Sequence, residues 1–352
     1  MAAPFIRDMR AGALLQTFLV SAIASLLLLR LVLKLTHYPH LGGERLHIAH
    51  VLWGGILMAS AIIILLSYVG RGVERLASVL GGIGFGAFID EVGKFVTSDN
   101  DYFYRPSAAI IYVTFVLLYL AMRAIHTVRK PTPREYLVNA LVDMVEVANR
   151  DLDEEEAKRI QVYLDRSEQD HPLVAALRSS FHDADLVPTR PPSRVHRAGR
   201  WIVERYRGLT EEPGFRSAVI TIMVLDLLVK LAYVVFLVFF VQLHWGPFIS
   251  IDFVTRALAR KSLSVVEWIQ IGSWTLSAIF VIRGVLLMRR ERIKALRMFE
   301  ISILVAILIT HVFNFYRDQF LALIGFSFSV LMLVSLRFMM QQERLSALRV
   351  RP

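Results

Sequence analysis

Four histidines, His37, His40, His47 and His50, precede and enter one long apolar run, and the acidic pair Asp90-Glu91 stands near the end of the next, with Lys94 just beyond. Imidazole and carboxylate are the side chains that exchange protons or ligate divalent metals, so their meeting across a hairpin would mark proton or cation handling, or a zinc-type site. Within a bilayer such groups are costly, which makes them the first place to look for function.

Spacing gathers a subset of them. His47 and His50 are three apart and share one helical face, while Gly82, Gly86, Asp90 and Gly93 share a face of the following helix. Small residues at that interval let helices approach closely, so Asp90 is expected to point into protein. If the two helices turn about Gly70-Arg71-Gly72, equal path lengths bring His50 near Glu91 and His47 near Lys94. Lys94, four residues after Asp90 and three after Glu91, can neutralise one carboxylate and leave the other to a proton or a bound cation. His37 and His40, beside Pro39 and Gly42-Gly43, are expected in an exposed loop. His311, with Asn314 three residues on, is a candidate to complete a binding or transport site from the second half; a lone histidine is also commonly a hydrogen-bonded packing residue.

Three readings of the His47, His50, Asp90, Glu91 group stand side by side. It is a structural salt-bridge cluster, a proton- or cation-linked transport site, or a divalent metal site, zinc being the candidate, in a membrane-embedded enzyme acting on lipid or envelope substrates.

The elements that must position these groups are membrane helices. The chain of 352 residues is 55% hydrophobic and only 20% charged, with a mean hydropathy of +0.52, and its apolar runs are continuous, whereas barrel strands would alternate. Eight spans are expected: Ala11 to Leu33, His47 to Val69, Val73 to Val96, Pro106 to His126, Ser217 to Gln242, Val265 to Met288, Met298 to Phe315, and Phe320 to Met340. The fold class is therefore all-α, a polytopic helical bundle. Residues 1–130 form one membrane half and 216–352 the other, and the similar order of features suggests two parallel four-helix repeats. Asp226 and Lys230, four apart in the fifth span, are expected to neutralise each other.

Residues 131–215 are polar and have their own helical periodicity. Leu137, Leu141, Met144 and Ala148 form a stripe, the acidic run Asp151 to Glu156 suits a helix N-terminus, and Ala157, Ile160 and Leu164 follow. The Pro-rich stretch at Val187 to Pro192 reads as a linker, and the basic helix after it, with Arg194, Arg197, Arg200 and Trp201, either lies on the membrane surface or packs as an arm of this insertion.

Basic residues concentrate in loops on one side, placing both termini in the cytoplasm of a plasma (inner) membrane. The net charge of +10 thus reports topology and attraction to an anionic inner leaflet, not nucleic-acid binding. A second copy, or a cytoplasmic protein meeting 131–215, is an expected partner. The chain has no cysteine, which removes disulfides, thiolate metal sites and thiol nucleophiles. There is no phosphate-binding Gly-x-x-x-x-Gly-Lys, no Gly-x-Ser-x-Gly and no His-Glu-x-x-His.

The second and third spans resemble a family of bacterial integral membrane proteins in which a histidine cluster and Trp-Gly open one helix and a Gly-rich helix ending in Asp-Glu follows. The matching residues are His47-Ile48-Ala49-His50-Val51-Leu52-Trp53-Gly54 and Gly82-Ile83-Gly84-Phe85-Gly86-Ala87-Phe88-Ile89-Asp90-Glu91. That family has adjacent histidines where this chain inserts Ile48-Ala49. The resemblance implies a polytopic membrane fold and gives weight to the His/Asp/Glu site. It brings no reaction with it.

Overall fold

Helices α1 (Ala11–Leu35), α2 (His50–Ser67) and α3 (Arg71–Asp90) pack together, with α1 and α2 both lying against α3. The structure is a computed structural model that describes residues 6–36, 50–99, 101–102, 104–127, 130–149, 152–182, 187, 194–212, 214–236 and 265–349. Among the described residues it is helical, with no strand. His37, His40 and His47 lie outside them. Contacts divide the chain into two units, Met1–Tyr104 with Val113–Pro192, and Arg105–Tyr112 with Ser193–Pro352.

In the first unit, glycine decides how closely the helices pack. A Cβ added to Gly84 would come within 2.6 Å of the Gly54 carbonyl, and one on Gly54 within 2.7 Å of the Gly84 carbonyl, so α2 and α3 touch backbone to backbone. On the other face, Cβ atoms at Gly82 and Gly86 would overlap the backbone of α1 at Phe18 and Ala22. A wider residue at either interface would separate the helices. The apolar side chains that α1 and α2 turn outward, such as Leu28, Leu35 and Leu66, are well exposed, as expected of surfaces that meet acyl chains.

The third helix is not continuous to Val96. It ends at Asp90 and restarts after one residue as α4 (Val92–Val96), with Glu91 in the turn between. Successive residues on a regular helix diverge by about 100°. The break relieves that divergence, so that two adjacent acids face the same neighbour. Helix α5 (Ser107–Thr127) follows.

The polar insertion is helical: α6 (Pro133–Asp143), α7 (Val145–Ala148), α8 (Glu154–Arg166) and α9 (Pro172–His182). Capping boxes start two of them, Thr132 with Glu135 on α6 and Asp153 with Glu156 on α8, each satisfying two otherwise orphaned N–H groups. Ala157, Ile160 and Leu164 bury against Ala140 and Leu152. The stripe expected on α6 is corrected: Leu141 and Ala148 are exposed, and the buried face carries Glu135, Asn139, Asp143 and Glu146 beside Leu137 and Ala140. The reason is that this face meets arginines of the first unit. Asp143 lies 3.5 Å from Arg10, 3.2 Å from Arg71 and 3.1 Å from Arg159, and Arg71 also pairs with Glu146 and Glu156. Burial raises the Tyr163 phenol above its ordinary range, with Asp143 adding to the effect.

The second unit contains α10 (Arg194–Glu211), α11 (Phe215–Phe236), α12 (Val265–Leu287), α13 (Arg292–Val305), a π-helical turn (Ala306–Thr310), α14 (His311–Asp318), a 3-10 turn (Gln319–Ala322) and α15 (Leu323–Arg349). Phe299, Leu296, Leu336 and Met339 centre its core. The apolar stretch Arg292–Glu343 is 52 residues long, yet it doubles back at Gln319, whose φ of 51° makes the corner. Arg337 pairs with Glu300 at 2.8 Å, and His311 meets Ser329 at 2.9 Å, which is antiparallel register. Glu300 lies within α13, and its carboxylate is taken by this pairing.

Among the described residues, six helical segments are long and apolar enough to cross a membrane: Ala11–Leu35, His50–Ser67, Arg71–Asp90, Ser107–Ile125, Val265–Leu287 and Arg292–Glu343.

Candidate functional site

Six side chains meet where α1 ends, α2 begins and α3 breaks. His50, the first residue of α2, sets Nε2 at 3.1 Å from Asp90 Oδ2 and Nδ1 at 2.9 Å from Glu91 Oε1. Asp90 and Glu91 are fully buried, at 0% and 1% exposure. Arg30, on α1, donates from Nε to Asp90 Oδ1 and from Nη2 to the Asp90 carbonyl at 3.3 Å. Lys94 Nζ lies 3.3 Å from Glu91 Oε2. Tyr102, in the loop after α4, donates its hydroxyl to Asp90 Oδ2 at 2.7 Å.

The tyrosine also closes the cluster over. Arg30 and Lys94 lie 5.4 and 5.5 Å from its ring centroid, in cation–π range, and the ring stands edge-on to His50 at 6.0 Å. The Tyr102 loop is held by Thr97, whose Oγ1 donates to the Gly93 carbonyl at 2.8 Å and accepts from the Asp101 N–H at 2.7 Å.

The chemistry follows from the count of donors. Arg30 and Lys94 bring two positive charges to two carboxylates. Both nitrogens of His50 face carboxylate oxygens, and a neutral imidazole has only one N–H to give. Only Nε2 to Asp90 has hydrogen-bond geometry; Nδ1 lies at ion-pair distance from Glu91 Oε1, an oxygen that accepts no hydrogen bond, and a doubly protonated ring is the form of His50 that suits both carboxylates at once. The Tyr102 phenol donates to the same Asp90 oxygen that His50 faces.

Of the residues singled out in the sequence, His50, Asp90, Glu91 and Lys94 are brought together, and Lys94 pairs with Glu91 rather than Asp90. The expectation that one carboxylate would lack a cation is corrected, because Arg30 reaches Asp90 from α1. In the sequence Arg30 is one charge near the end of the first apolar run, and its partner lies 60 residues on. In the sequence Tyr102 is distinguished only by its loop, which is rich in aromatic and charged residues. His311 belongs to the second unit, between Ser329 and Asn314, whose amide approaches Nδ1 at 3.4 Å. Lys230 pairs with Asp226 at 2.5 Å as its spacing suggested.

No group of three or more His, Asp or Glu side chains among the described residues is arranged to hold a metal ion. In the cluster, the carboxylate oxygens that would face a cation already face Arg30, Lys94 and Tyr102. No protein-family model, no curated protein and no solved structure matches the chain.

Proposed function

We propose that this chain is a proton- or cation-linked transporter or channel of the plasma (inner) membrane, with the His50–Asp90–Glu91 cluster as the carrier of the coupled proton. The observation that carries the reading is the single imidazole held between two buried carboxylates on a neighbouring helix. Moving His50 relative to α3 by a helix tilt would strand one carboxylate and expel or recruit the coupled proton. A proton linked to a helix movement in this way is what coupling requires.

The proposed topology has eight spans and cytoplasmic termini. Support comes from the fold-back at Gln319, which divides Arg292–Glu343 into two arms, and from Phe215–Phe236, an apolar helix of 22 residues. Basic residues after α5 and between α12 and α13 favour a cytoplasmic location for those loops. Eight spans would make two sets of four, the arrangement that a duplication leaves.

A second reading, a structural clamp on the ends of three helices, is favoured by one observation: each carboxylate has its own cation. The readings separate in proteoliposomes, where gradients of Na⁺, K⁺ or Mg²⁺ are imposed in turn and internal pH is followed. Transport predicts that at least one gradient drives a pH change that His50→Gln reduces at least about tenfold while thermal stability falls little. No pH change with any gradient, together with a large stability loss in His50→Gln, would leave the clamp.

A further inference from the structure

Helix α10 meets α11 and α15 through one of its faces. The Tyr206 hydroxyl lies 2.5 Å from the Ser335 hydroxyl of α15, its ring stands edge-on to Phe215 at the start of α11, and Thr210, four residues on, is buried. The helical period puts Arg197, Trp201, Arg205 and Gly208 on the opposite side, and all four are exposed, Trp201 to 65%. Arg200 and Leu209 flank that side and are exposed as well. Among the described residues, no ion pair engages Arg197, Arg200 or Arg205. With Glu204 the exposed acid beside them, three positive charges stand against one negative.

The depth of this helix follows from where it is pinned. On α15, Leu331 and Val334 are exposed apolar side chains, and beyond Ser335 come Arg337, paired with Glu300, and Glu343, paired with Arg216. Ser335 therefore marks the level at which a surface fit for acyl chains gives way to ion pairs, about 3 Å before Arg337 and about 12 Å before Glu343 along the axis. Arg205 and Trp201 lie one and five residues before Tyr206, at most about 8 Å along α10, a distance comparable with the depth of the headgroup layer. Both side chains suit that layer: indole seats at headgroup level, and guanidinium pairs with lipid phosphate.

We propose that the Arg197, Trp201, Arg205 face of α10 binds anionic phospholipid of the surrounding leaflet, the indole seated at the headgroup boundary and the arginines on lipid phosphates. A zwitterionic lipid carries its own cation beside the phosphate, so it would leave the excess positive charge unanswered. An anionic lipid answers it. No residue of the His50 cluster takes part, so this binding stands or falls apart from transport.

Gly208→Cys, in a chain without other thiols, takes a single bimane label on the same face, where an added Cβ meets nothing within 4 Å. The full-length labelled protein is placed in nanodiscs of phosphatidylcholine with a minority of phosphatidylglycerol, and one lipid or the other carries brominated acyl chains, which quench on contact. Both lipids are expected to quench, phosphatidylglycerol about fivefold more per mole, the enrichment that an arginine near the surface gives. Arg197→Gln combined with Arg205→Gln should bring the two lipids to equal quenching without moving the thermal midpoint, since neither arginine has a protein partner to lose. An unquenched label would show the face covered by protein or standing in water, and would overturn the proposal. Equal quenching by the two lipids before the arginines are replaced, or a preference that survives their replacement, would overturn it too.

Discussion

Asp90 is the residue on which most depends, because it accepts from Arg30, His50 and Tyr102 at once. Asp90→Ala would remove a fully buried carboxylate from half-buried Arg30, a kind of loss that costs up to about 3–5 kcal/mol when both partners are buried and less here. It is expected to lower the unfolding midpoint far more than Tyr102→Phe, which removes one hydrogen bond worth about 1 kcal/mol. Chemical unfolding of the two variants in the same detergent checks the order, and equal losses would mean that Asp90 is not the hub. At this scale the sequence was partly legible. Spacing and hairpin length brought His50 to the acids, because both rest on short-range geometry. The Arg30 contact was hidden, since nothing local distinguishes an arginine at a span's end that snorkels from one that turns inward.

Helices are governed by what their faces can exclude. Gly86→Ala would drive a methyl group into the α1 backbone and Ser25, and is expected to cost about 1–3 kcal/mol through helix separation. Gly55→Ala meets nothing within 4 Å and should be neutral, or stabilising by up to about 1 kcal/mol through helix propensity. A comparison of their thermal midpoints tests whether contact or flexibility conserves the fold. Asp143→Ala makes a third case, in which Arg10, Arg71 and Arg159 lose their shared acceptor. Faster limited proteolysis of the α6–α8 helices is expected, and unchanged cleavage would show that the charges do not hold them. Long apolar runs announced the membrane helices because length and hydropathy suffice for that. The break at Glu91 and the π turn before His311 were not announced, since each depends on which side chains the next helix presents. The α6 stripe misled for the same reason: acids faced inward there to meet arginines.

Across the whole molecule, the proposed topology places the α4–α5 loop and the helical insertion on opposite sides of the bilayer. The chain lacks cysteine, so single replacements report cleanly. Ser98→Cys, exposed after α4, should react with an impermeant maleimide added to intact cells, and Glu168→Cys, exposed after α8, only after the membrane is opened. Reaction of both from outside would refute the orientation. The account as a whole rests on a proton held by His50 between two ionised acids. Nitrogen-15 magnetic resonance of ring-labelled histidine in the reconstituted protein near neutral pH, with His50→Gln used to assign the signal, measures that occupancy. The account predicts that both ring nitrogens of His50 carry hydrogen, and a neutral ring with one bare nitrogen would contradict it.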